Sequence, residues 1–115
     1  MHVLIVEDEY FLAKKLTDAL GQLGAHVVGP FGSVKDALKC VAAKGRIDAA
    51  VLDLNLAGEM TYGIADALRA RGVPFVLTTG YDEWSILESY RDIPRCTKPF
   101  TLPQLLNALS LPNEP

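Results

Sequence analysis

Short apolar runs alternate with segments of helical periodicity along the chain, and this alternation restricts the possible folds more than any other feature. Three of the runs, residues 3–6, 49–52 and 75–77, are uniformly apolar. A strand that faces solvent on one side alternates apolar and polar residues, so strands without alternation are covered on both faces. The three runs are therefore predicted to be central strands of a parallel sheet.

Two further runs, residues 26–29 and 95–97, have a mixed composition. The first contains a histidine and a glycine, and the second follows a proline and begins with an arginine. Such residues are tolerated best at the edges of a sheet. With right-handed crossovers, the five strands predict a doubly wound α/β fold of the flavodoxin-like type, in which a five-stranded parallel sheet has the order 2-1-3-4-5.

The predicted helices have recognisable ends. Ser33 lies where an N-cap belongs, and Thr101 with Gln104 three residues later forms the pattern of a capping box. Glycines follow the first three helices, where a left-handed residue commonly closes a helix: Gly24, Gly45 and Gly72. The segment 80–94 is too short and too rich in aromatic and charged residues for a full fourth helix, so we expect that helix to be abbreviated.

Composition narrows the class of protein. A chain of 115 residues fits one domain, residues 1–115, with 110–115 as a short tail. The net charge of -3 argues against binding to nucleic acid or to an anionic membrane. Cys40 and Cys96 lack the spacing of a metal site, which is typical of reduced thiols, and no signal peptide or membrane-spanning run is seen. We therefore expect a cytoplasmic protein.

Polar residues follow the apolar runs at the carboxyl ends of the predicted strands: Glu7, Asp8, Asp53, Thr79 and Lys98. Ligands of open α/β sheets bind at this edge, so we expect these side chains to converge. A single Asp after a strand is more often a turn or capping residue, but clustered carboxylates repel one another unless a cation or a lysine offsets their charge. The set therefore indicates a site for Mg²⁺, which prefers oxygen ligands.

These residues resemble the receiver domain of two-component response regulators over nearly the whole chain. The resemblance is carried by Val6-Glu7-Asp8, Asp53 after the third strand, Thr78-Thr79-Gly80 and Lys98-Pro99-Phe100. It implies that Asp53 is the phosphoacceptor, that Thr79 binds the phosphoryl oxygens and that Lys98 neutralises charge on the same group. It also implies a Mg²⁺ site formed by Asp53, by Asp8 as a direct ligand, by Glu7 through water and by the backbone carbonyl of Asn55, together with a cis Lys98–Pro99 peptide bond.

The same resemblance implies a function. The phosphohistidine of a sensor histidine kinase or phosphotransfer protein would donate its phosphoryl group to Asp53, and the modified domain would control an unidentified protein partner in trans. We expect self-phosphorylation and autodephosphorylation rather than turnover of a dedicated substrate, and a homodimer remains open. In this family Tyr10, Phe11, Lys14 and Phe100 lie where a kinase docks, although Phe11 and Phe100 also suit core packing.

Two alternatives come from other classes of protein. A receiver-like binding module that is never phosphorylated would need none of the site residues, yet all of them are present. A haloacid-dehalogenase-type phosphatase also uses an aspartate nucleophile, but it needs an acid two residues later, where this chain has Asn55.

The chain departs from the receiver pattern at three places. Arg95 replaces the usual aromatic residue three positions before the lysine, and Tyr81, Trp84 and Tyr90 are candidates to replace its switching role or to serve only in packing. The loop 56–63 lacks the common proline and contains Gly58, so we expect it to be loose. The stretch 74–81 partly matches a proteobacterial subgroup whose fourth strand ends in Phe-Ala-Thr-Gly.

Overall fold

Strands form at each of the five runs predicted from the sequence, and most extend one or two residues further. The computed structural model describes residues 1–80 and 86–110. In chain order the elements are β1 (His2–Val6), α1 (Tyr10–Gln22), β2 (His26–Phe31), α2 (Val34–Ala42), β3 (Ala49–Asp53), β4 (Asn55–Leu56), β5 (Glu59–Met60), α3 (Tyr62–Ala70), β6 (Phe75–Thr79), a 3-10 helix (Glu88–Tyr90), β7 (Arg95–Thr97) and α4 (Leu102–Ser110).

The main sheet is parallel and has the order β2-β1-β3-β6-β7. When only these five strands are counted, the order is 2-1-3-4-5, so the predicted topology and both predicted edge strands are confirmed. Strands β1, β3 and β6 occupy the centre. Their carboxyl ends therefore lie side by side at one edge of the sheet.

Helices cover both faces of the sheet, and the strand pleat divides the core into two layers. Alternate residues such as Leu4, Leu52 and Leu77 pack with α2 and α3. The intervening residues, such as Ile5 and Val51, pack with α1 and α4. Truncating a buried leucine or isoleucine of this kind to alanine costs about 2–5 kcal/mol, so the two layers hold the central strands rigidly in register.

The predicted caps of α2 and α4 are present. Ser33 Oγ accepts a hydrogen bond from the backbone N–H of Asp36 at 3.2 Å. In the capping box of α4, Thr101 Oγ1 accepts from the N–H of Gln104 at 3.3 Å, and Gln104 Oε1 accepts from the N–H of Thr101 at 2.9 Å. These reciprocal bonds fix the direction in which α4 leaves the site.

The predictions for the helix-closing glycines are correct at two positions and wrong at the third. Gly24 and Gly72 have φ angles of +88° and +68°. After α2 the left-handed residue is Lys44, with φ +58°, and not Gly45. The helix ends at Ala42 and the N–H of Lys44 already bonds to the carbonyl of Val41, so the left-handed position falls one residue before the glycine.

Within residues 86–94, the described part of the segment expected to hold an abbreviated helix, the helical structure is a single 3-10 helix, Glu88–Tyr90. Side chains of α3 hold this segment. Arg69 donates to the carbonyl of Ser89 at 3.2 Å and to Asp92 at 2.7 Å, and its guanidinium lies over the ring of Tyr90. Tyr90 also stacks on Tyr62, so it is engaged in packing. Tyr81 and Trp84, the other two aromatic candidates, lie outside the described residues.

The loop after β3 is a tight hairpin, so the expectation of a loose loop is wrong. Strand β4 pairs with β5 in antiparallel register, and Ala57 and Gly58 at the turn have φ angles of +50° and +96°. Two successive positive φ angles are typical of a two-residue hairpin turn. Asn55 Oδ1 accepts a hydrogen bond from the N–H of Gly58 at 2.6 Å, which closes the turn.

Candidate functional site

Three carboxylates meet at the carboxyl edge of the sheet. Asp53 is the last residue of β3 and is only 2% exposed, Glu7 follows β1 and is also buried, and Asp8 is exposed. One carboxylate oxygen of each lies within 4.8 Å of the others. The structure thus brings together the three acids that the sequence places after two neighbouring strands.

Lys98 joins this cluster from the other side. Its Nζ lies 2.8 Å from Glu7 Oε1 and 3.0 Å from Asp53 Oδ2. The residue follows β7, its backbone N–H donates to the carbonyl of Thr79 at 2.7 Å, and the Lys98–Pro99 peptide bond is cis as expected. Burial lowers the pKa of Lys98, but the hydrogen bonds to Glu7 and Asp53 outweigh it and raise the pKa above its ordinary value. The lysine is therefore fully charged at neutral pH.

The loop after β3 holds both the backbone and the side chain of Asp53. The N–H of Asn55 donates to Asp53 Oδ1 at 3.2 Å. The N–H of Thr61 donates to the carbonyl of Leu54, so these two residues form a hydrogen-bonded pair of the hairpin. Hydrogen-bonded and non-hydrogen-bonded pairs alternate in an antiparallel ladder, so the next pair, Asn55 with Met60, is not hydrogen-bonded. The carbonyl of Asn55 is therefore not used by the hairpin.

Thr61 is a site residue that sequence reasoning missed. It is completely buried, and its hydroxyl donates to the carbonyl of Asp53 at 2.6 Å and to that of Leu54 at 3.1 Å. Thr61 thereby fixes the peptide that carries Asp53. Its position directly before α3 was the one available signal, and that signal points equally well to an ordinary helix cap.

Two adjacent threonines end β6 on opposite faces of the sheet. Thr78 follows the alternation of Val76 and lies on the α1 and α4 face, whereas Thr79 follows Leu77 and lies on the α2 and α3 face. Both are buried. Thr79, the residue expected at the site, is thus at the correct edge, while Thr78 is the one in direct register with Asp53.

The donor set fits a hard divalent cation. Every ligand atom in the cluster of Glu7, Asp8 and Asp53 is a carboxylate oxygen, and the exposed Asp8 gives access from solvent. Oxygen-only sites with one or two carboxylates, a carbonyl and water are the kind that Mg²⁺ prefers.

Among residues 1–80 and 86–110, none of the helices has the length and apolar character needed to span a membrane.

A doubly wound parallel sheet of this order, with a buried aspartate, a lysine and two further acids at its carboxyl edge, defines a flavodoxin-like α/β domain with a charged site at that edge. Residues 3–110 match the family model of the response regulator receiver domain. The chain therefore belongs to the response regulator receiver family of two-component systems.

Solved structures of receivers resemble the chain closely. SdrG from Sphingomonas melonis Fr1, solved in solution, is 43% identical over 95% of both chains, with a TM-score of 0.82. The BeF3-activated conformation of SdrG from Pseudomonas melonis Fr1 is also 43% identical, covers 95% of this chain and 92% of its own, and has a TM-score of 0.77. A receiver protein from Sinorhizobium medicae WSM419, 23% identical over 96% and 91% of the two chains with a TM-score of 0.80, supports the fold alone. No curated protein matches the chain.

Proposed function

We propose that this domain accepts a phosphoryl group from the phosphohistidine of a sensor histidine kinase or phosphotransfer protein onto Asp53. The observation that carries the proposal is the environment of that carboxylate. Asp53 is 2% exposed, yet its two oxygens contact the ammonium of Lys98 and the N–H of Asn55. A carboxylate fixed by donors at both oxygens is oriented for attack on phosphorus, and the cationic donor offsets the charge of an incoming phosphoryl group.

The transfer follows from the chemistry of these groups. An oxygen of Asp53 forms a bond to phosphorus while the bond between phosphorus and the imidazole nitrogen of the donor breaks, and the leaving imidazole keeps its electron pair and takes a proton from solvent. The product is an acyl phosphate, which water can hydrolyse. Lys98 faces the transferred oxygens throughout and needs no proton transfer, because its raised pKa keeps it charged.

The acidic cluster is proposed as a Mg²⁺ site. Asp8 and Asp53 would bind the ion directly, Glu7 through water, and Asn55 through its backbone carbonyl. When bound, Mg²⁺ supplies additional positive charge beside the phosphoryl oxygens. Because Glu7 is ion-paired with Lys98, this chain has an internal cation that keeps the buried acids from repelling one another.

The relationship to SdrG supports a phosphorylation-dependent conformational change. BeF3 is a chemical mimic of a phosphoryl group on a carboxylate, and SdrG has a BeF3-activated conformation. We propose that Thr79 binds the phosphoryl oxygens in this domain and signals their presence to the α2 and α3 face on which it lies. The modified domain would then act on another protein in trans.

The surface beside the site offers a place for the phosphodonor protein. Tyr10 and Phe11 begin α1 and are 70% and 79% exposed, so Phe11 does not belong to the core. Phe100, by contrast, is half-buried and packs against the core layer of α1 and α4. Two exposed aromatic side chains next to the phosphoacceptor edge fit a protein contact.

Intact-mass spectrometry after incubation with acetyl phosphate and Mg²⁺ tests the proposal. We expect one added phosphoryl group that hydroxylamine removes, none in Asp53→Asn, and none when EDTA is present. Asp18→Asn, which alters an exposed aspartate of α1, serves as the matched control and should be modified like the wild type. Wild-type protein that gains no phosphoryl group from acetyl phosphate, or from a purified cognate kinase, would instead favour a binding module that works without phosphorylation.

A further inference from the structure

Thr78 carries an unpartnered hydroxyl inside the protein. The residue is 1% exposed, and its Oγ1 has no hydrogen-bond partner among the residues that the structure describes. A buried hydroxyl without a partner is unfavourable, since it has given up its hydrogen bonds to water. A valine has almost the same shape and would avoid this cost, so the hydroxyl calls for an explanation other than packing.

The register of the sheet places Thr78 beside Asp53. Thr78 pairs directly with Asp53 across β3 and β6, and paired residues of parallel strands, about 4.8 Å apart, direct their side chains to the same face. The carbonyl of Thr78 also accepts the N–H of Leu54 at 3.0 Å, which fixes the two strands at this level.

Of the two residues in register with Thr78, Asp53 is the one with carboxylate oxygens that can accept a hydrogen bond. On the opposite side the register pairs Thr78 with Cys96, whose thiol is directed to the carbonyl of Gln104 at 3.7 Å. The face of the sheet that carries Thr78 is covered by the apolar layer between the sheet and the helices α1 and α4. A rotation of χ1 by about 120° moves the threonine hydroxyl to another staggered position without moving the backbone.

We propose that Thr78 is a positioning residue for Asp53 whose hydroxyl donates to a side-chain oxygen of Asp53 when the site is loaded. In the unmodified protein both oxygens already have donors, Lys98 and the N–H of Asn55. When a phosphoryl group attached to Asp53 draws Lys98 toward itself, the Asp53 side chain loses the donor that Lys98 supplies, and the hydroxyl of Thr78 replaces it. This inference rests on the proposed phosphorylation of Asp53.

Beryllofluoride binding with Mg²⁺, followed by amide NMR titration and by thermal melting, separates this role from a purely structural one. Thr78→Val should melt at the same temperature as the wild type or higher without ligand, because the unpartnered hydroxyl is removed. Its affinity for beryllofluoride should fall roughly two- to tenfold, the value of one lost hydrogen bond. Thr78→Ser keeps the hydroxyl and should restore the wild-type affinity.

Thr17→Val is the matched control, because it removes a hydroxyl that bonds within α1, at the carbonyl of Ala13. Its beryllofluoride affinity should equal that of the wild type. Equal affinities of wild type and Thr78→Val would overturn the inference while leaving the proposed function intact, and so would an equal loss in Thr78→Ser. A wild type that does not respond to beryllofluoride would overturn both. If Thr78→Val does not fold, Thr78→Ala makes the same comparison.

Discussion

Replacing Thr61 by valine should destabilise the domain through a single hydrogen bond. The hydroxyl of Thr61 donates to the carbonyls of Asp53 and Leu54, but the carbonyl of Leu54 keeps a second donor, the backbone N–H of Thr61 itself. Thr61 makes no side-chain hydrogen bond that caps α3, so the substitution leaves the start of that helix unchanged. Valine fills the same volume, and the lasting effect is a buried carbonyl of Asp53 without its donor.

The size of the effect follows from that unpaired acceptor. Leaving a buried hydrogen-bonding group unsatisfied costs about 1–3 kcal/mol. With an unfolding entropy of about 2.1 cal/mol/K per residue, 115 residues correspond to about 0.24 kcal/mol per degree. The melting temperature of Thr61→Val should therefore fall by about 4–12 °C.

Differential scanning calorimetry and urea unfolding measure this loss, and acetyl phosphate labelling of the same samples measures its effect on Asp53. Phosphorylation should slow several-fold, because the peptide that carries the nucleophile is no longer held on both sides. Thr61→Ser keeps the donor and should recover most of the stability. A melting temperature of Thr61→Val within 1 °C of the wild type, using roughly the 4 °C per kcal/mol obtained above, would refute the reasoning.

Three further predictions concern other parts of the molecule. Lys98→Met removes the cation that pairs with the buried carboxylates of Glu7 and Asp53 and should lower the free energy of unfolding by several kcal/mol. MgCl₂ should raise the urea midpoint of this variant more than that of the wild type, and equal increases would contradict the prediction. Partial burial lowers the pKa of His2, so the fold disfavours its protonated form and stability should fall as the pH drops below about 6.5; His2→Gln should lose this part of the pH dependence of the urea midpoint between pH 7.5 and 5.5. Arg69→Ala should speed hydrogen exchange across residues 86–92 and leave the exchange of β1 unchanged, whereas unchanged exchange in that segment would show that Arg69 does not hold it.

The fold was predictable because its main determinants are local. The uniformly apolar runs indicate strands that are buried on both faces, and the mixed runs at residues 26–29 and 95–97 indicate edge strands. Each pattern depends only on what covers that strand, so it is visible in the local sequence. The positions of the left-handed residues that close helices were harder to predict, because they shift when a helix is one residue shorter or longer. The end of α2 at Ala42 rather than one residue later moved the left-handed position from Gly45 to Lys44.

The site was predictable in its list of polar residues and less so in their arrangement. The sequence places acids after β1 and β3 and a lysine after β7, and parallel topology alone brings them to one edge. The turn between β4 and β5 is closed by a hydrogen bond between residues three positions apart, and the donor role of Thr61 depends on one between residues eight positions apart. No periodic pattern reports such contacts, and the missing proline and Gly58 alone suggested a loose loop.

The pair Thr78 and Thr79 shows why chemistry at a strand end cannot be assigned from composition alone. Side chains alternate between faces with a period of two, so one step along β6 moves a hydroxyl from the layer of α1 and α4 to that of α2 and α3. Resemblance to the receiver family points to Thr79 as the residue that binds the phosphoryl group. The register of the sheet instead makes Thr78 the neighbour of Asp53 on the same face. The two residues can therefore act on the same aspartate in different ways. In the proposed function Thr79 reports a phosphoryl group to the helices of one face, and in the proposed role of Thr78 its hydroxyl donates to Asp53 on the other face.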